Sequence, residues 1–241
     1  MPNAKHALVR NRLLAALPRK EYENLLPLLT PVKLVFQEIL YESQAPIRYV
    51  YFPDNGLVSM LTTVDGGRAA EVGLIGSEGM VGIPVALGVA VSPFRAVVQG
   101  GGTGMRMKIA DFRRALGNST ALRHQLFVFT HLLMIQIAQT AACNRFHMTT
   151  QRMARWLLMT RDRANSNEFR ITQEFLALML GVRRVGVSVA ARSLRERKLI
   201  GYRHGTVTIL DNRGLMAAAC GCYKTVKDSY ALAQTKVNRG S

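Results

Sequence analysis

Residues 171–197 read ITQEFLALMLGVRRVGVSVAARSLRER, and the rest of the chain is arranged around them. The stretch predicts two short helices about a glycine. Thr172 is an N-cap candidate, because its hydroxyl can accept from an otherwise unpaired N–H of the first turn. Glu174 lies in that turn, where a negative charge suits the helix dipole. Ile171, Leu176, Met179 and Leu180 supply the apolar side, and Ala177 leaves room for a close crossing. Gly181 stands where a tight turn needs positive φ. A second helix follows from about Arg183 to Lys198. In it Val187, Ala190, Ala191 and Leu194 recur at helical spacing and point inward. Arg184, Ser188, Arg192 and Arg195 recur on another face. This is the pattern of a helix-turn-helix whose second helix reads DNA. A helical hairpin with a solvated charged face has the same local spacing.

The next residues favour the first reading. Leu199-Ile200 ends the helix. Gly201 to Gly205 and then Thr206 to Leu210 are polar, glycine-flanked and β-branched by turns, which predicts a small hairpin. Helix, turn, helix and hairpin make a winged helix-turn-helix. Arg203 and His204 fall at the wing tip, within reach of a phosphate backbone, although His204 reads equally as an exposed turn residue.

Charge is distributed to match. The chain of 241 residues is long enough for two domains and carries a net +17. From His147 onward there are 17 Lys+Arg against 6 Asp+Glu; before it, 15 against 9. The excess lies with the helix-turn-helix, as expected of a surface that displaces counterions from DNA. A basic tail or a membrane-surface patch would give the same total without placing arginines on one helix face. No run of about 18 apolar residues lacks charges, so no membrane span is expected. The basic N-terminus, MPNAKHALVRNRLLAAL, lacks a hydrophobic block and cleavage site and reads as an amphipathic helix. Cys143, Cys220 and Cys222 form no even disulfide framework. Cys220-Gly-Cys222 has no third or fourth ligand nearby in sequence. Free thiols, no metal, no cofactor and a reducing cytoplasmic location are therefore expected.

Elsewhere the chain alternates in texture. Residues 10–29 read as two short helices separated by Pro18. From Val32 to Lys108 short β-branched runs are punctuated by Ala45-Pro46, Pro53 to Gly56, Asp65 to Gly67 and Gly100-Gly101-Gly102, the signature of a β barrel or jelly roll. Residues 77–88 read as a loop plus a short helix. Asp111 to Leu116 form another, and Asn118, Ser119 or Thr120 caps a long helix reaching about Arg145. Leu122, Leu126, Phe129, Leu133, Gln136, Ile137 and Thr140 recur along it, and Phe127, Met134 and Ile135 widen its apolar surface. Such a helix needs cover on two sides, one from the barrel and one from a symmetry mate; Phe129 is expected at that dimer contact. Gln151 to Arg163 form a further helix, with Met153, Trp156, Leu157 and Met159 inward. Its Arg152, Arg155, Arg161 and Arg163 either line phosphates or are solvated. Asn212 caps a last helix, and the tail beyond about Gln234 is expected to be disordered.

The residues 171–200 and the following wing resemble the CRP/FNR family of bacterial transcription regulators, and YVYFPDNGLVSML (49–61) and EVGLIGSEGMVG (71–82) resemble its sensor barrel. The resemblance implies an α+β chain. An N-terminal β jelly roll like a cyclic-nucleotide-binding domain would occupy residues 1–146, including a dimerisation helix at about 119–146. A winged helix-turn-helix would occupy 147–241. It implies a homodimer on a palindromic double-stranded DNA site, with RNA polymerase as a candidate partner. Carried over by position, the base-reading places are Arg184, Val185 and Val189, with Arg183 and Ser188 beside them. Arg184 matches the family's usual arginine; Val185 and Val189 depart from its common glutamate and arginine. On the ligand side, Gly82-Ile83-Pro84 lacks the carboxylate that cyclic-nucleotide binders use for ribose, and Arg95-Ala96 lacks the hydroxyl after the arginine. No cysteine precedes Cys143, so the oxygen-sensing cluster of the family has no counterpart, and no residue stands out as a haem ligand.

The alternative function is a ligand-gated regulatory protein that acts through a protein partner instead of DNA. An enzyme finds no support: Asp54, Glu71, Glu78 and the histidines show no acid/base or nucleophile spacing.

Overall fold

The alternation between residues 30 and 108 becomes seven strands in the computed structural model, which describes residues 9–63, 69–164, 166–203 and 205–237. They are β1 (Thr30–Leu34), β2 (Ile39–Tyr41), β3 (Tyr49–Pro53), β4 (Leu57–Thr63), β5 (Ala69–Ile75), β6 (Arg95–Gly100) and β7 (Gly102–Lys108). Two sheets result, with orders β1-β7-β3 and β2-β6-β4-β5. Late strands are thus inserted between early ones, as in a jelly roll. The β7 pairings with β1 and β3, and the β6 pairings with β2 and β4, are antiparallel. Register places Val50 opposite Met107 and Val58 opposite Val98, all four buried. The triple glycine is not an open turn: Gly100 ends β6, Gly102 opens β7, and Gly101 alone connects them.

The contacts divide the chain into two compact units, residues 1–62 with 74–131, and residues 63–73 with 132–241. In the first, α1 (Arg12–Ala15) and α2 (Arg19–Leu25) flank Pro18, which stands at the N-cap of α2. Asn11 is fully buried. Its Oδ1 accepts from Leu14 N at 3.1 Å, and its Nδ2 donates to the carbonyls of Pro53 at 2.9 Å and Gly79 at 3.0 Å. A buried amide so fully satisfied pins the start of the chain to the barrel. A short helix α3 (Ile83–Ala86) falls in the 77–88 loop, and α4 (Ile109–Asn118) is longer at both ends than the sequence suggests.

Of the three candidate caps for the long helix, Ser119 serves: its Oγ accepts from Leu122 N at 2.9 Å while it donates to the Glu21 carboxylate. Helix α5 then runs from Thr120 to Phe146. Leu122, Leu126, Phe129, Leu132, Leu133, Gln136 and Cys143 are its buried face. Phe129 is not at an outer contact. A Cβ added to Gly79 would lie 2.1 Å from its ring, so the loop's glycine exists to let that ring in. A different stripe faces outward: Phe127, His131, Met134, Ala138, Ala141 and Arg145, at alternating spacings of four and three. Among the described residues, α5 is the helix long and apolar enough to cross a membrane by length and composition, though its apolar residues divide between a buried face and this stripe.

In the second unit, α6 (Thr149–Ala164) is buried continuously from Met153 to Thr160. Trp156 donates its indole N–H to buried Glu71 at 3.1 Å. Strand β8 (Glu168–Arg170), helices α7 (Gln173–Leu180) and α8 (Arg184–Glu196), and strands β9 (Ile200–Arg203) and β10 (Thr206–Ile209) follow, with sheet order β8-β10-β9. The end of the chain departs from expectation. Asp211, not Asn212, is the cap, its Oδ1 accepting from Gly214 N at 2.9 Å. The single last helix is two, α9 (Asn212–Ala218) and α10 (Cys222–Val237), broken where Ala219 turns extended. The backbone stays helical past Gln234.

Phe129→Ala removes a ring that is 3 % exposed and leaves a cavity against Gly79. It should lower stability by about 3–5 kcal/mol, read from urea denaturation, because the loss combines transfer and cavity terms.

Candidate nucleic-acid interface

Helix α7 begins as its sequence dictates. Thr172 is extended, with φ −82° and ψ 158°, and its Oγ1 accepts from Phe175 N at 3.1 Å. The helix ends at Gly181, where φ is 61° and ψ 38°. Its N–H and that of Val182 turn back to carbonyls of the last turn, closing the helix in the left-handed manner that favours glycine. A Cβ there would also come within 3.0 Å of the Ala70 methyl. The crossing is apolar: Phe175, Leu176, Met179 and Leu180 are buried, as are Val187, Ala190, Ala191 and Leu194 of α8.

With that face buried, the other residues of α8 point out. Arg183 at its N-cap, Arg184, Arg192 and Arg195 are exposed. Val185 and Val189 are 72 % and 58 % exposed. Ser188 is half-buried, and its Oγ lies 2.8 Å from Gln173 Oε1 and 3.2 Å from the Arg184 carbonyl. A shallow concavity of about 600 Å³ opens beside this face. Of the residues expected in the site, Thr172, Arg184, Ser188 and Arg192 line it. Gln173, Glu174, Arg195, Tyr202 and Gly205 join them. Arg184 and Glu174 are 3.7 Å apart with both side chains mostly exposed, a pair too solvated to hold the arginine in place.

The wing frames this surface. Arg203 pairs in register with Thr206 and is exposed, but it does not line the concavity. Gly205 takes φ 74°, and Ile171 N donates to its carbonyl at 2.6 Å. Tyr202 donates its hydroxyl proton to the Ile171 carbonyl at 2.9 Å, tying β9 to the start of α7. Burial raises the pKa of that phenol, with Arg184 opposing. His204 lies outside the described residues. Gln173 and Tyr202 carried no sequence signal as site residues; only their packing around Ser188 and Ile171 reveals them.

The arginines of α6 are engaged by other groups of the domain. Arg152 donates to the Leu180 carbonyl at the end of α7. Arg155 is buried and donates to Thr140 Oγ1 at 2.8 Å. Arg161 donates to Asn167 Oδ1 at 2.7 Å, and Arg163 to the Met159 carbonyl at 3.2 Å while lying over the Tyr230 ring. Helix α8 turns its arginines outward, and the flanking strands add exposed Arg170 and Arg203.

Residues 151–218 match the model of the Crp-like helix-turn-helix domain. The chain therefore carries a Crp-like helix-turn-helix domain. Its fold agrees. It is similar to FixK2 from Bradyrhizobium japonicum (TM-score 0.68, 16 % identity, 80 % of this chain and 98 % of that one). It is similar to the c-di-GMP responsive global regulator CLP of Xanthomonas campestris (0.65, 16 %, 80 % and 99 %). It is also similar to a CRP-family transcriptional regulator from Thermus thermophilus (0.65, 19 %, 78 % and 96 %). No curated protein matches the sequence.

Outside the matched residues, the expectation that Cys220-Gly-Cys222 has no third or fourth ligand nearby is overturned. Cys220-Gly-Cys222 does have neighbours: Cys143 and His147 bring their ligand atoms within 4.8 Å of both sulfurs and of each other.

Thr172→Ala removes the α7 cap and should cost about 1 kcal/mol of domain stability, while Thr172→Ser should retain most of it; thermal or urea unfolding of the two variants side by side checks this.

Proposed function

We propose that this chain is a sequence-specific transcription regulator that binds double-stranded DNA as a homodimer on a palindromic site. The observation that carries it is the outward face of α8. Arginines and exposed valines stand together on a helix whose opposite face is fully packed, with a wing beside it. Nothing in the domain's own packing requires Val185 and Val189 to be there, whereas a major groove offers thymine methyls to such side chains. Arg184 suits bidentate contact with guanine O6 and N7. Arg183, Arg192 and the wing residue Arg203 suit phosphates, as does His204 by its place in sequence; Thr172 holds the frame, and Ser188 sits at its edge.

The dimer reading is supported by the outward stripe of α5. Phe127, Met134 and Ala141 fall at one heptad position, and His131, Ala138 and Arg145 at the other. Small residues at the Arg145 end allow two helices to approach, and large apolar ones at the Phe127 end give them area to bury. In this reading residues 1–146 sense and dimerise, and residues 147–241 bind DNA. The residues depart from the family's cyclic-AMP pattern. Arg95, the candidate phosphate arginine, donates from Nε to Glu42 Oε2 at 2.6 Å on the surface, and Gly82 to Pro84 bring no carboxylate.

Selection of bound duplexes from a random pool tests the reading. A single palindromic consensus is expected, with affinity falling steeply with salt; equal retention of all sequences defeats it. Against that consensus, Arg184→Ala should lose about 1–3 kcal/mol and relax one base position per half-site. Met134→Glu should convert the dimer to monomer in light scattering and weaken binding to the palindrome, whereas a dimer that survives it excludes the α5 stripe as the contact.

A further inference from the structure

Chemistry that the DNA-binding surface does not use gathers at the junction of α5 with α6 and the break between α9 and α10. Cys143 and His147 are one turn apart at the end of α5. Cys220 and Cys222 flank Gly221 where α9 gives way to α10. Residues 77 apart in sequence meet there, with Cys143 Sγ 3.4 Å from Cys220 Sγ. Cys222 Sγ is 3.5 Å from His147 Nδ1. All four ligand atoms lie within 4.8 Å of one another. The three cysteines are 0 %, 6 % and 4 % exposed, and the histidine is half-buried.

From these facts we infer that Cys143, His147, Cys220 and Cys222 form a tetrahedral zinc site, a Cys3His clamp that fastens the end of α5 to the α9–α10 turn.

The geometry fits the ion. With Zn–S near 2.3 Å, the sulfurs of a tetrahedron stand about 3.8 Å apart. Two of the separations are already that short, and the widest must close by about 1 Å at most, which side-chain rotation supplies. Three soft thiolates and an imidazole select zinc among abundant divalent cations. A polynuclear iron–sulfur cluster would need its thiolates spread around a larger cage.

The surroundings fit as well. Gln139 donates its amide N–H to Cys222 Sγ at 3.2 Å, the outer hydrogen bond that metal-bound thiolates commonly accept. Cys222 opens the 16-residue α10, whose N-terminal end favours negative charge. The half-buried imidazole marks the side from which an ion could arrive. This inference is independent of the DNA reading, since it concerns only the domain's own residues.

The test uses the full chain, purified under reducing conditions, stripped with a chelator and titrated with Co²⁺. Sulfur-to-cobalt charge-transfer absorption and the intense ligand-field bands of tetrahedral cobalt should saturate at one ion per chain and vanish on adding Zn²⁺. Zinc should also raise the thermal midpoint of the stripped protein. Cys143→Ser should remove part of the charge-transfer intensity. His147→Asn, at a half-exposed position, should weaken binding at least about tenfold, and Gln139→Ala about 10–100-fold, without removing a ligand. A reduced wild-type chain that leaves cobalt with the spectrum of the hydrated ion overturns the proposal. So does saturation far below one ion per chain, a chromophore that forms only with iron and sulfide, or a Cys143→Ser spectrum equal to wild type. Should a variant fail to fold, the wild-type titration decides alone.

Discussion

The close crossing of α7 and α8 is the constraint behind the whole interface. It needs a glycine at 181, because the chain must reverse through positive φ with a neighbouring methyl already in contact distance. It needs an apolar inner face on α8, where Val187, Ala190, Ala191 and Leu194 are all buried. Once the crossing is closed, the 3.6-residue period leaves no freedom in what faces out. Arg184, Val185, Val189 and Arg192 are presented because Val187, Ala190, Ala191 and Leu194 are buried. The outward residues can therefore vary while the fold stays the same.

The same logic orders the auxiliary groups. Arg152 satisfies a carbonyl that the end of α7 leaves open, and Tyr202 satisfies the Ile171 carbonyl just before α7 begins. Each cation or hydroxyl used in this way stiffens the frame and is withdrawn from the pool that could meet phosphate. A basic domain is thus not uniformly basic toward a ligand. The arginines of α6 are fastened to other groups of the domain, and those of α8 are turned outward.

Helix α5 shows how one long apolar element serves two environments. Phe129 fills the space above Gly79, whereas Phe127 and Met134, only two and five residues away, remain uncovered. Its composition resembles that of a membrane-spanning segment, and its pattern is that of a helix buried on one side with an exposed stripe at heptad spacing on another. The distinction lies in the angular distribution of side chains, which a simple hydropathy average does not contain.

The features legible before folding are local ones. The Thr172 cap, the Gly181 turn, the inward and outward faces of α8, the wing strands and a cap within residues 118–120 all follow from interactions within a few residues, and they reveal themselves as spacing. The strand segments were legible for the same reason, from alternation and turn residues. Other features exist only in the folded chain. Folding placed β6 and β7 between earlier strands, turned Phe129 toward Gly79, and drew the α6 arginines onto carbonyls and a ring. It also broke the last helix so that Cys220 and Cys222 meet Cys143 and His147. These depend on contacts between residues tens of positions apart, which leave no periodic trace, because their loop-closure cost is offset only when the whole core is formed.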